Sequence, residues 1–272
     1  MITGRELLFP ARFITERRHG QDMKILCLVA HPDDETVFVG GTLALLARRG
    51  AQVRLVCCTR GEGGEAGEPP LCARAELGAV REAELRCAVR ALGCASVDFL
   101  PFRDPDVGPD GELFAFASSP EEVIPWVQNI FDPARPDAVI THGSNGEYGH
   151  PGHLLAHRAC LEAARRSGVP WVYTFGADFP NHPRKRSANR DDPADFVVDV
   201  DRALEPKLAA MECHRTQHAL FVRRASAEAG HPVPLREVVL RVESFRRVAA
   251  PRMVETAVPD MVSLLGDAIR PA

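Results

Sequence analysis

Apolar positions along the chain fall into short unbroken runs separated by longer stretches with a helical repeat. The first run, Ile25-Leu26-Cys27-Leu28-Val29, is apolar throughout, the pattern of a strand buried on both faces of a parallel sheet. The same reading gives strands over 24–30, 52–58, 97–101, 137–141, 170–175 and 196–200. Helical patterns span 37–49, 73–92, 120–131, 153–167 and 201–213, and Gly50, Gly93 and Gly168 stand where three of them end. Strands alternating with helices predict an α/β fold: a Rossmann-like, mostly parallel sheet with helices on both faces, in a single domain. Residues 177–195, rich in Pro and Asn, read as a long loop, and the last 50 residues give no clear pattern. The expected organisation is an N-terminal extension over 1–23, a core over 24–220, and a C-terminal segment over 221–272 packed on the core.

Two polar clusters sit at strand-to-helix junctions. Ala30-His-Pro-Asp-Asp-Glu35 follows the first strand, and Tyr148-Gly-His-Pro-Gly-His153 lies between the fourth strand and the next helix. Open α/β sheets hold ligands at the carboxyl ends of their strands, so both clusters face one edge. A catalytic zinc takes about three protein ligands and keeps a position for water. His31 and Asp34 share a tight turn, and His153 is the candidate third ligand from a distant segment. Asp33 is then free to face the water as a general base. His150 is placed to donate a proton or steady an oxyanion. Alone, Asp-Asp-Glu reads as negative charge favoured by a helix N-terminus, and His-x-x-His as a solvated turn; their matching positions favour the metal.

Composition narrows the setting. The 272 residues are 45% apolar and 26% charged, with a net charge of −4. No dense Lys/Arg face suggests nucleic acid, and Arg184-Lys185-Arg186 reads as a solvated loop. No apolar run suits a membrane span, and residues 1–22 lack a signal-type apolar region. The eight cysteines show no Cys-x-x-Cys spacing; most, Cys27, Cys57, Cys58 and Cys87 among them, read as small core residues, and a reduced, cytoplasmic protein fits better than a disulfide framework.

These motifs resemble the LmbE-like, or PIG-L, family of metal-dependent N-deacetylases. The Ala-His-Pro-Asp-Asp-Glu motif stands complete at 30–35, and 148–153 matches a His-Pro-x-His motif. Thr59-Arg-Gly-Glu-Gly-Gly-Glu65, Arg81-Glu-Ala-Glu84 and Phe99-Leu-Pro-Phe-Arg-Asp104 are similar to three further segments, and His214-Arg-Thr-Gln217 to a recurrent His-x-x-Gln. The resemblance covers about residues 24–220. It implies His31, Asp34 and His153 as metal ligands, Asp33 as base, and His150 as acid or electrostatic partner. It further implies Tyr148 near the oxyanion, and Arg81, Glu65 and Asp104 on the sugar hydroxyls. Gly152 departs from the Asp or Asn common at that place, which puts in doubt a hydrogen bond orienting a histidine.

The implied reaction is hydrolysis of the acetyl group from an N-acetylated amino sugar, with Zn²⁺ as the default ion and Fe²⁺ suiting the same ligands. An amidase acting on a thiol-sugar conjugate uses the same site. Two His and one carboxylate also form the facial triad of Fe(II) oxygenases, but the strand–helix alternation speaks against that class. A binding protein with a vestigial site is the non-enzymatic rival. A small amino sugar is the expected partner, and sheet-edge surfaces leave a homo-oligomer open.

Overall fold

The computed structural model describes residues 23–248 and 260–272; residues 1–22 of the expected N-terminal extension lie outside that range. The strands are β1 (Lys24–Val29), β2 (Gln52–Cys57), β3 (Ser96–Phe99), β4 (Ala138–Thr141), β5 (Trp171–Phe175), β6 (Ala177–Asp178), β7 (Asn189–Pro193), β8 (Phe196–Asp199), β9 (Val242–Val248) and β10 (Ile269–Pro271). The helices are α1 (Asp34–Arg48), α2 (Leu77–Ala91), α3 (Pro120–Ala134), α4 (Gly146–Gly149), α5 (Pro151–Ser167), α6 (Leu204–Cys213), α7 (His218–Ala229), α8 (Leu235–Val238) and α9 (Met261–Leu265).

Eight strands form one sheet in the order β10-β8-β9-β5-β4-β1-β2-β3. The first five strands of the chain run parallel, and β9, β8 and β10 extend the sheet antiparallel beyond β5. Side chains of β1 alternate between two cores. Ile25, Cys27 and Val29 pack with Leu43 and Leu46 of α1 and with Leu85 and Val89 of α2. Leu26 and Leu28 pack on the other side with Val127 and Phe131 of α3 and Ala156 and Ala159 of α5. An all-apolar strand is what a sheet covered on both faces requires, and the mostly parallel α/β expectation holds.

Three differences from the sequence reading have physical causes. Residues beyond 220 do not merely pack on the core, since β9 inserts between β5 and β8 and is part of the sheet. Its sequence, Val-Glu-Ser-Phe-Arg-Arg-Val, carries buried Glu243 and Ser244 and so lacks a strand's apolar run. Within 177–195, β6 and β7 pair as a two-stranded sheet. Finally, Cys87 of α2 and Cys213 of α6 form a disulfide across 126 residues. The two helices pack side by side, an apposition no local spacing reveals, so Cys87, read as a small core residue, is a disulfide partner instead. The other six cysteines are free.

No helix among the described residues is long and apolar enough to cross a membrane.

Candidate metal centre

Strands β1 and β4 are neighbours, and each delivers a histidine at its carboxyl end: His31 after β1 and His142 after β4. Asp33 caps α1 with φ 116°, a left-handed conformation unusual outside glycine. That turn lets Asp34 fold back so that its Oδ2 accepts the His31 backbone N–H at 2.8 Å. Between β4 and α5, Glu147 also has positive φ, at 58°, and is fully enclosed. Pro151 opens α5, whose first turn carries the buried His153.

The three residues read as ligands come together. His153 Nε2 lies 3.2 Å from Asp34 Oδ1, and His31 Nδ1 lies 3.4 Å from Asp34 Oδ2. The His31 and His153 ring centres are 5.3 Å apart. Donor atoms bound tetrahedrally at zinc distances stand about 3.3 Å apart. His153 Nδ1 is committed to Glu147 Oε2 at 2.6 Å, while its buried Nε2 has no hydrogen-bond partner. A buried ring nitrogen without a partner, beside a carboxylate and a second imidazole, has the donor chemistry that a divalent ion would fit.

Among the described residues, the groups whose donor atoms all lie close enough to hold one ion are His31, His150 and His153, and Asp34, His142 and His153; the expected trio shares two members with each. His142 is otherwise engaged. Its Nε2 accepts the Ala30 N–H at 3.0 Å, and its Nδ1 bonds Glu147 Oε2 at 2.9 Å. His150 Nδ1 accepts the Gly152 N–H at 3.0 Å, which leaves Nε2 as its remaining polar atom. The Gly152 backbone thus supplies an orienting bond that its missing side chain cannot. A Cβ at 152 would sit 3.1 Å from His31 and 3.2 Å from His150 Nδ1, so glycine lets the two rings close in.

Charge is concentrated here. Burial works to depress His31, but Asp104 and Asp34 outweigh it and lift its pKa to about 9. Burial likewise opposes the charge on His153, while Asp34 and Glu147 raise it to about 10. Asp34 and Glu147, despite the opposing effect of burial, are held well below the usual carboxylate range by their histidines. His150 is pushed down to about 3 by burial and then by the charges of His31 and His153. Burial lifts Asp33 to about 6, against the pull of Arg81.

The residues assigned to the sugar fare differently. Arg81 is buried and donates to the Gly61 carbonyl at 2.8 Å and the Pro32 carbonyl at 2.5 Å, with Asp33 3.5 Å away. It ties the glycine loop to the Asp33 turn, and Gly61, at φ 68°, has no room for a Cβ against it. Glu65 lines the cavity but is held bidentate by Arg223 at 2.7 Å. Asp104 lies 3.3 Å from His31 Nε2 and accepts the Gly63 N–H. Tyr148 is 54% exposed at the cavity, its ring 5.4 Å from that of His153.

Sequence reasoning missed His142 and Glu147. His142 follows β4 as His31 follows β1, and that parallel was the available signal. Glu147 carried none, because its role depends on a strained backbone fixed by Asn189, whose Oδ1 accepts its N–H and whose Nδ2 donates to its Oε1. Glu35 and His214 also join, His214 Nε2 lying 2.8 Å from Glu35 Oε1 while Glu35 Oε2 accepts the Asp33 N–H.

Known proteins share this chain's sequence and fold. Residues 26–164 match the model of the PIG-L family, described as GlcNAc-PI de-N-acetylase. A 1D-myo-inositol 2-acetamido-2-deoxy-alpha-D-glucopyranoside deacetylase of Mycobacterium sp. (strain KMS) is 36% identical over 227 residues, covering 71% of this chain and 74% of the relative. The chain belongs to the PIG-L family. Solved structures share the fold: N,N'-diacetylchitobiose deacetylase from Pyrococcus horikoshii has a TM-score of 0.58 at 22% identity, covering 83% of each chain. A 4-carboxy-2-hydroxymuconate hydratase from Pseudomonas putida scores 0.58 at 23% identity, covering 86% of this chain and 99% of its own, so in PIG-L-like folds the architecture alone does not select the reaction.

Proposed function

We propose that the protein is a metal-dependent hydrolase that removes the acetyl group from an N-acetylated amino sugar. The observation carrying this reading is the partnerless Nε2 of His153, fixed from behind by Glu147 and set beside Asp34 and His31. Family membership supplies the reaction class. His31, Asp34 and His153 would hold the ion, zinc by donor type with iron(II) as the alternative. When bound, it supplies a Lewis acid that acidifies water and polarises the amide carbonyl.

The surrounding residues divide the remaining work. Asp33, with its pKa lifted to about 6 by burial, is ionised at neutral pH and still basic enough to take a proton from water. The Arg81 guanidinium and the Glu35 carboxylate fix its turn. Of the two roles open to His150, the electrostatic one fits: an imidazole depressed to about 3 is neutral, and its Nδ1 accepts from Gly152, so Nε2 carries a hydrogen for the developing oxyanion. Tyr148 stands beside it as a second donor, a phenol that keeps its proton at neutral pH. The proton gained by Asp33 then serves the departing amine.

The test is to incubate zinc-loaded protein with methyl N-acetylglucosaminide and follow acetate and free amine together. Equal amounts of both, abolished by chelation and restored by zinc, are expected. Absence of both products across N-acetyl amino sugars would overturn the reading, and cleavage confined to a cysteinyl-glucosaminyl amide would replace it with the amidase.

A further inference from the structure

Six large apolar side chains are strongly exposed among the described residues: Leu71, Val107, Phe114, Trp126, Tyr148 and Leu220. Four of them, Val107, Phe114, Tyr148 and Leu220, line the one cavity of about 760 Å³ that opens over His31, Asp33 and Asp34. Leu71 adjoins Pro70 of the same lining. Such clustering is unexpected for apolar residues scattered singly over a surface, and contiguous apolar area marks a binding site. The volume lies within the range for ligands larger than a single sugar ring.

The charges of the cavity point the same way. Its carboxylates are Asp33, Asp34, Glu65, Glu68 and Asp104, and among the described residues its only guanidinium groups are Arg74 and Arg81. Arg74 is bound to Asp106 at 2.7 Å and to the carbonyls of Gly63 and Gly64. Arg81 is bound to the carbonyls of Gly61 and Pro32. Both terminal nitrogens of Arg81 are thus taken and its Nε is buried, Arg74 is paired with Asp106, and a phosphate or carboxylate on the outer part of the substrate would meet the lining carboxylates.

We infer that the substrate carries an uncharged, apolar aglycone, alkyl or aromatic, seated against Val107, Phe114 and Leu220. Val107 is 49%, Phe114 42% and Leu220 45% exposed, so they form the outer wall, reached by the part of the ligand furthest from the reacting amide. This rests on the deacetylase reading for its chemistry, though the wall's preference can be measured without turnover.

The experiment compares, at submicellar concentration and with zinc-loaded protein, the methyl and octyl glycosides of N-acetylglucosamine, N-acetylglucosamine 1-phosphate, and methyl N-octanoylglucosaminide. Burying two to three methylenes predicts kcat/KM for the octyl glycoside about fifteen- to sixtyfold above the methyl glycoside. The phosphate is expected to do no better than methyl. Leu220→Asp and Phe114→Ser should each bring the octyl-to-methyl ratio towards one. Equal rates for octyl and methyl, a preference for the phosphate, or a gain confined to the N-octanoyl compound would overturn the inference while leaving the deacetylase reading in place. If no compound is hydrolysed, that reading fails instead. Calorimetric binding of octyl against methyl glucosaminide then decides the wall by itself, tighter octyl binding supporting it and equal binding refuting it.

Discussion

The Oε2 atom of Glu147 accepts the Nδ1–H of His153 at 2.6 Å and meets His142 Nδ1 at 2.9 Å, all three side chains being buried. One oxygen thus sets the tautomer of two imidazoles and turns His153 Nε2 towards Asp34. Partners of this kind are typically worth about 10- to 100-fold in metal affinity. Glu147→Ala should weaken zinc binding by that factor, as read by competition with a chromogenic chelator. Unchanged affinity in a folded variant would show that the orientation of His153 does not depend on Glu147.

Asp33 faces the cavity without joining the Asp34–His31–His153 cluster by ion pairing. Asp33→Ala should keep one zinc per chain and lose about 10² to 10⁴ in kcat. Metal content and rate measured on the same preparation check this, and full activity would remove Asp33 from the chemistry.

The pH profile follows from the same carboxyl. Asp33 must be ionised to take a proton, and burial raises it from 3.8 to about 6. A group with a raised pKa is lost to protonation sooner as pH falls. The kcat/KM should be flat above about 6 and decline tenfold per unit below it, whereas an ordinary carboxylate would hold activity down to about 4.

Much of this was legible in the chain, and what was not has identifiable causes. The buried parallel strands announced themselves because a sheet covered on both faces needs unbroken apolar runs, as in Ile25–Val29. His31, Asp34 and His153 could be read because strand exits in such a sheet converge on one edge. Strand β9 could not, since its buried Glu243 is satisfied by Lys207 of α6 and by the Gly41 and Thr42 N–H groups of α1, partners more than 30 residues away. The bonds of Arg81 to the Gly61 and Pro32 carbonyls could not be read either, because they join segments 20 and 49 residues away in the chain.

Metal binding should release protons. His31, at about 9, and His153, at about 10, are both charged at neutral pH, and each must lose a proton to become a ligand. Calorimetry in buffers of different ionisation heat should give close to two protons released per zinc at pH 7, with affinity rising as pH increases towards 9. No net release would mean that the ligands are already neutral.

The Cys87–Cys213 bond joins α2, which carries Arg81, to the end of α6 just before His214. Thiol titration of unreduced, denatured protein should count six groups, rising to eight with reductant. Closing so long a loop is worth about 2 to 4 kcal/mol, so reduction should lower the melting temperature. Eight thiols before reduction would contradict the pairing.

The most direct measurement of the central claim is anomalous diffraction at the zinc edge from zinc-loaded crystals. A single ion is expected, with one nitrogen each of His31 and His153 and one oxygen of Asp34 at about 2.0 to 2.2 Å. An ion held instead through His142 or His150, or no ordered ion at saturating zinc, would contradict it.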